Sequence, residues 1–564
     1  MKTLKILIIL MLALSGMSSM GQVSNWEWAR SASGSSYDEG VSVATDASGN
    51  VYMTGRFSSP TITFGAYTLT DAGGSANIFI VKYDASGNVL WAKSAGGTSY
   101  DEGWSIATDA SGNVFLVGDF GSPTITFGTF TLTNACVSSI FIVKYDSSGN
   151  VLWAKSAGDT SWNFGYSVAT DINGNVFITG GFNGTSITFG TFTLTNVGNR
   201  NIFIAKYDSS GAVLWAKCAV DTSYNDCMSV ATDVSGNVLV TGWFNSPTIT
   251  FGAFTLTNAD NTGNTGDIFI VKYNSSGTVL WAKRAGGISD DAGNSIASDA
   301  SGNILVTGLY KSPTITFGTY TLTNAGGGNY DIFIVKYDSS GTVLWAKSVG
   351  GTSNDYGWNI CTDVSGNVLA TGGFNSPSIT FDSDTLFFPS GGNDPMFLVK
   401  YSSTGNVLWT KALASGGDDQ NGIATDAIGN IFIGGDFEVN PFYVGTDILQ
   451  QTGGENVFIA KLGFHTHDGI PEIKPQQTLL LSPNPFTTTT TLTLQGTYHN
   501  PTLFIYNLLG QEVGAQNFVP LRAGTNYQFT IHRNNLPAGM YFYKVIDVGA
   551  QNFVPVQVGK MMVE

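Results

Sequence analysis

The chain has 564 residues, a formal net charge of −16, 70 glycines, 16 prolines, four cysteines and four histidines. Hydrophobic residues make up 42%, enough for a packed core, which excludes wholesale disorder; glycine without a G-X-Y period excludes collagen. Charged residues are only 12%, about half the usual ~25%, and no basic stripe neutralises phosphates, which argues against a nucleic-acid partner.

In chain order, Lys2 and Lys5 precede an unbroken apolar run over 6–14, too short to span a bilayer. Ser19 and Gly21 are the small residues a signal peptidase needs, so 1–21 read as a signal peptide. No later stretch approaches 18 consecutive apolar residues, so no membrane-spanning helix is predicted.

An internal repeat follows. The Trp of a Trp-Ala-Lys-like segment recurs at Trp28, Trp91, Trp153, Trp215, Trp281, Trp345 and Trp409, at spacings of 62 to 66. A turn Asp recurs at Asp46, Asp109, Asp171, Asp233, Asp299, Asp363 and Asp426. Within one unit, 105–109, 114–119, 140–145 and 151–155 read as strands joined by Asp-x-Ser-Gly-Asn turns, whose Gly takes positive φ. Between the second and third strands, 124–133 reads as an extra hairpin with a two-residue Gly turn. The last two copies of that hairpin, near 376–388 and 440–449, are degraded.

Four-stranded antiparallel units repeated seven times predict an all-β, seven-bladed propeller over 22–464. The last unit ends without a fourth strand, and the chain opens with a lone one around Trp28. That N-terminal strand is predicted to complete the last blade and close the ring. Small residues, Ser42, Ser105, Ser167 and Ser229 among them, fit the crowded innermost strand, and the seven Trp read as inter-blade packing. Cys218 and Cys227 lie on strands roughly three spacings of about 4.8 Å apart, too far for an undistorted disulfide. Cys136 and Cys361 read as lone thiols.

The segment from Gly103 through Asn113, with Phe141-Ile142-Val143-Lys144-Tyr145 and Gly149-Asn150-Val151-Leu152-Trp153, resembles the bacterial SBBP β-propeller repeat. The resemblance implies architecture and no common activity.

Residues 465–477 read as a linker, and 478–564 as a small Ig-like β-sandwich of short alternating strands. Ser482-Pro483-Asn484-Pro485-Phe486, the run from Leu503 to Val513, Leu536-Pro537-Ala538-Gly539 and Gly559-Lys560-Met561 resemble the type A C-terminal sorting domain of the type IX secretion system. That resemblance implies a translocon partner, passage across both membranes of a Gram-negative bacterium, and a secreted or outer-membrane surface location. Near-verbatim copies at 516–520 and 551–555 depart from the family pattern and cloud the strand register.

All four histidines lie beyond residue 464, so Ser-His-Asp and Cys-His catalysis and His-ligated zinc are excluded from the repeat domain. Eight residues before each turn Asp stand Asp38, Asp101, Asn163, Asn225, Asp291, Asp355 and Asp418. One position earlier stand Tyr37, Tyr100, Trp162 and Tyr224. One reading makes each Asx a cap on the bend into the inner strand. The other makes the set a polar, acidic channel mouth beside an aromatic shelf that suits sugar rings. Clustered carboxylates also suit Ca²⁺, although no cofactor is required. The leading function is non-catalytic binding or adhesion, with a glycan or another surface macromolecule as ligand. A polysaccharide-acting enzyme using mouth carboxylates, and a purely structural surface protein, are the alternatives.

Overall fold

The computed structural model describes residues 25–463 except 135, 220, 261, 389–394 and 415–421. It further describes 480–482, 484–495, 501–507, 512–517, 526–533, 536–547 and 555–563. The signal segment, the linker, Asp418 and His465, His467 and His499 lie outside the described residues. The chain divides into two compact units, Met1–Thr466 and His467–Glu564. Every regular element is a strand, and among the described residues no helix is long and apolar enough to cross a membrane.

Among the described residues of the first unit are seven four-stranded antiparallel sheets, consistent with propeller-like blades. In the second sheet the order is Asp101–Thr108, Val114–Phe120, Ser139–Tyr145, Val151–Ala157. The seventh sheet is Gly422–Thr425, Ile431–Phe437, Asn456–Gly463 and then the N-terminal strand Asn25–Ala32. There Trp28 lies opposite Lys461 and Ala32 opposite Val457. A chain of hydrogen bonds links the innermost strands. Thr108 Oγ1 donates to the Thr45 carbonyl, Thr170 to Thr108, Thr232 to Thr170 and Ser298 to Thr232. Thr362 then donates to Ser298, Thr425 to Thr362 and Thr45 back to Thr425, all seven at 2.7–3.2 Å.

The core lies between sheets. The third strands, such as Ser139–Tyr145, are buried along their whole length, as a strand covered on both faces must be. One cluster joins Trp28, Phe432 and Ile459 of the seventh sheet to Met53, Phe79 and Tyr83 of the first. Each outer-strand Trp packs on the turn of the next sheet. Trp91 Nε1 donates to the Ser147 carbonyl at 3.2 Å, and five other Trp repeat the contact at 3.1–3.4 Å. Trp409 is different: among the described residues its buried Nε1 meets no acceptor. At that seam the third and fourth strands come from opposite parts of the chain, so no turn joins them.

The turn Asp side chains close their own loops. Asp109 Oδ1 accepts the N–H groups of Ser111 and Asn113, and Oδ2 accepts Asn113 Nδ2. A buried Lys from the third strand reaches the turn Asp of its own unit, as in Lys272–Asp233 at 2.9 Å and Lys400–Asp363 at 2.8 Å. The extra hairpins form in all seven units and tuck Ile and Phe side chains over the inter-sheet core. The sixth, Ser378–Phe381 with Asp384–Phe387, keeps full register despite its divergent sequence. Asp382 there takes φ 50°, replacing the usual glycine. All four cysteines are free thiols.

The second unit pairs a three-stranded sheet (Leu480–Ser482, Thr489–Gln495, Asn526–His532) with a four-stranded one. The latter comprises Glu512–Asn517, Pro501–Tyr506, Gly539–Asp547 and Pro555–Val563. Leu492 and Ile531 of one sheet pack with Leu503, Ile505, Tyr541 and Val563 of the other. Two sheets around one apolar core make a sandwich.

Candidate functional site

The six described Asx positions are buried rather than open to solvent. Asp38, Asp101, Asn163, Asn225 and Asp355 are fully buried and Asp291 is 1% exposed. Asp291 Oδ1 accepts the N–H groups of Lys311 (3.0 Å) and Ser312 (3.1 Å). Its Oδ2 accepts Gly287 N (2.8 Å) and Ser312 Oγ (2.7 Å). Asp38, Asp101 and Asp355 hold the matching Ser59, Ser122 and Ser376 in the same way. Each carboxyl thus clamps the loop that leaves the second strand. Burial raises Asp38, Asp101 and Asp355 above the ordinary carboxylate range, against these hydrogen bonds, and pushes Asp291 up to about 6. Where the position holds Asn, the carboxylate has moved four residues upstream. Asp159 and Asp221 stand where other units have Gly97 or Gly287, and Asn163 Nδ2 donates to Asp159 Oδ1 at 3.1 Å.

The aromatic positions do reach solvent: Tyr37 is 61% exposed, Tyr100 40%, Trp162 50% and Tyr224 37%. They precede the innermost strands of four successive sheets. In the third sheet a ladder descends from the rim: Trp162 stacks on Phe164 (6.1 Å, 4°) and Phe164 on Tyr166 (5.8 Å, 8°). Alternation puts Trp162 and Phe164 on one face, and Tyr166, at the bulge between Gly165 and Ser167, continues the stack.

Beneath the ladder sits Arg200. Its guanidinium lies 4.3 Å from the Phe164 centroid and 5.1 Å from that of Tyr224. It donates to the Tyr224 and Tyr166 hydroxyls and pairs with Asp226 at 2.8 Å. Burial holds Asp226 above the usual carboxylate range even so. In the first two sheets Arg56 pairs with Glu39 and Glu102 and lies 5.3 Å over Tyr100. Asp119 accepts Trp104 Nε1 at 2.7 Å, and burial pushes its carboxyl up to about 7. At the matching register the fifth sheet places Ala292 opposite Leu309.

A well opens among the innermost strands. Its volume is about 90 Å³, and Trp104, Tyr166, Met228 and Trp358 line it above Ser105 and Ser167. Its wall is made by β-bulges. Pairing skips one residue between Gly103 and Ser105, between Gly165 and Ser167, and between Gly357 and Asn359. The skipped residues are Trp104, Tyr166 and Trp358; Val41, Met228 and Asn294 are their equivalents. A bulge re-aims one side chain out of the ladder, which puts these residues in the well. Sequence reasoning missed them. Their signal was a position of changing chemistry (Val, Trp, Tyr, Met, Asn, Trp) framed mostly by constant Gly and Ser. Among the described residues no group of three or more His, Cys, Asp or Glu side chains gathers as a metal site.

With both units described, comparison with known proteins separates them. Residues 481–554 match the secretion system C-terminal sorting domain. The tail is therefore of the type IX sorting class, and it marks a secreted or surface-attached protein that engages that secretion machinery. The chain is 28% identical over 508 residues to an uncharacterized WD repeat-containing protein of Acanthamoeba polyphaga mimivirus, covering 73% of this chain and 36% of that protein. It is 23% identical to the regulatory protein FlaEY of Caulobacter vibrioides, covering 48% of this chain and 29% of that protein. The chain thus spans about a third of the length of these curated relatives. Among solved structures, a Synechocystis apocarotenoid oxygenase aligns with a TM-score of 0.36 at 11% identity, over 79% of this chain and 95% of that one. That score is too low to carry an argument from the oxygenase to this chain.

Proposed function

We propose that residues 25–463 form a closed seven-bladed propeller of the SBBP type that works outside the cell as a non-catalytic glycan-binding module. The sorting tail delivers it to the surface of a Gram-negative bacterium. The observation that carries this reading is the aromatic ladder Trp162–Phe164–Tyr166, which starts in solvent and ends in the axial well. Sugar rings present an apolar face for such a ladder and hydroxyls for the polar groups beside it. The enzyme alternative needs a pair of carboxyl groups free to act at about 5–5.5 or 6.5–9.5 Å. Asp101 is instead committed to Ser122, and Glu102 to Arg56.

A glycan array on the purified chain, followed by titration calorimetry, tests the reading. Trp162→Ala combined with Tyr224→Ala is expected to lower affinity about tenfold, equivalent to ~1.4 kcal/mol, with the fold intact by circular dichroism. An array without ligand, or a double variant that binds like the parent, overturns it.

A further inference from the structure

We propose that the axial well is a subsite for the primary hydroxyl of a hexose, so that the ligand is a neutral hexose polymer rather than a pentose or uronic acid polymer. This rests on the glycan-binding reading. Three features of the well select the group. The first is size. A volume of about 90 Å³ holds several waters but is smaller than the ~150 Å³ cavity that takes a benzene ring, so it admits a hydroxymethyl group and not a whole pyranose ring.

The second feature is the floor. Ser42, Ser105, Ser167 and Ser229 Oγ each accept a backbone N–H from the next sheet, of Ile106, Val168, Val230 and Ile296, at 3.2–3.3 Å. That bond leaves each hydroxyl its own proton and polarises it for donation. Ser167 and Ser229 are more than nine-tenths buried and line the well. The floor therefore offers O–H donors to an oxygen acceptor.

The third feature is the collar. Trp104 meets Tyr166 edge to face at 5.9 Å, and Trp358 stacks on Tyr356 at 5.2 Å. These rings suit the C–H groups of a methylene. Among the described residues no charged side chain lines the well, and Arg200 behind Tyr166 is already paired with Asp226. A carboxylate entering it would lose its hydration without a free countercharge among those residues, which disfavours uronic acids. A pentose brings no hydroxymethyl group and leaves the floor donors unpaired. The polymer's other units would then lie along Tyr166, Phe164 and Trp162.

Cellohexaose and xylohexaose share a β-1,4 backbone and differ in the hydroxymethyl group, so they make the test, with mannohexaose and C6-oxidised cello-oligosaccharide beside them. Saturation-transfer NMR and calorimetry on the full chain are expected to show a hexose oligomer binding about tenfold tighter than xylohexaose and the oxidised oligomer. Val41→Trp fills the well with the residue that two sister positions already carry, and it should bring the affinity for the hexose oligomer down to that for xylohexaose. Asn294→Trp serves the same purpose should the first variant melt early. Trp162→Ala should lower both affinities equally. Equal affinity for hexose and pentose, or a preference that survives both fillings, overturns the subsite and leaves the binding reading standing. No binding of any oligomer at millimolar concentration overturns both.

Discussion

Asp291 sets two effects against each other, and Asp291→Asn decides between them. The carboxyl is buried and accepts four hydrogen bonds, three from backbone N–H groups. Burial favours the protonated form and the hydrogen bonds favour the charged one; burial wins, taking the group from 3.8 to about 6. The folded state therefore holds a proton that the unfolded chain gives up between about pH 4 and 6. The contribution to stability is fully present below about pH 4 and is lost as pH rises through 6. At 1.36 kcal/mol per unit, the loss is about 3 kcal/mol.

Asn cannot titrate, so the variant lacks this slope. It keeps an oxygen for Lys311 and Ser312 and turns an NH₂ toward Gly287 N, which costs about 1 kcal/mol. Urea midpoints for the full chain should then place Asp291→Asn below the parent by ~1 kcal/mol at pH 4 and above it by ~2 kcal/mol at pH 8. A variant that falls further behind as pH rises would refute the reasoning. It would mean that three N–H donors outweigh the loss of solvent and that the clamp is a charged one. Asn163 and Asn225 show that the fold accepts the amide where a carboxylate sits four residues upstream.

Three further outcomes follow from the packing. Gly149 has φ +84°, and a Cβ there would stand 3.0 Å from the Trp91 ring, whereas Gly236 has φ +73° and open space around it. By thermal melting Gly236→Ala should cost about 1–2 kcal/mol of backbone strain and Gly149→Ala a further ~1–3 kcal/mol for the clash; equal losses would deny the Trp contact. Lys272→Met strands the buried Asp233 carboxylate and should cost ~3–5 kcal/mol in denaturant, and a loss under 1 kcal/mol would show that the pair is idle. Trp28→Ala empties the joint between the first and seventh sheets. It should cost ~3–5 kcal/mol and raise light scattering as that joint loosens, and an unchanged melt would show that other contacts hold the two sheets together.

The sheets were legible because each unit repeats the same alternation and the same turn chemistry. The seven turn Asp mark the inner hairpin of every unit, and the seven Trp mark every outer strand, without any tertiary information. The pairing of Asn25–Ala32 with Asn456–Gly463 was legible as well, since the last unit lacked one strand and the first residues supplied one. The site was less legible, for a reason of geometry. Strict alternation places Trp104 beside its neighbours in the pleat, and only the bulge between Gly103 and Ser105 turns it into the well. The Asx positions carried two readings, a cap on the bend and an open mouth, and polarity alone could not choose between them. Ser122 and its loop close over Asp101, and a carboxyl with its hydrogen bonds satisfied is as much a part of the interior as a leucine. Tyr37, Tyr100, Trp162 and Tyr224 stood out by being large and alone among small polar residues, and those four reach solvent.

The pairing of the first strand with the last has a cost in time. Ala29 N donates to Asp447, 418 residues away. At ~5–20 residues per second of synthesis, the earliest strand waits roughly 20–80 s for its mate. Throughout that interval its backbone donors and acceptors are available to any stranger with an extended segment. A ribosome that stalls before residue 456 releases a fragment whose first strand stays widowed, so unfinished chains are marked for proteases by the topology itself.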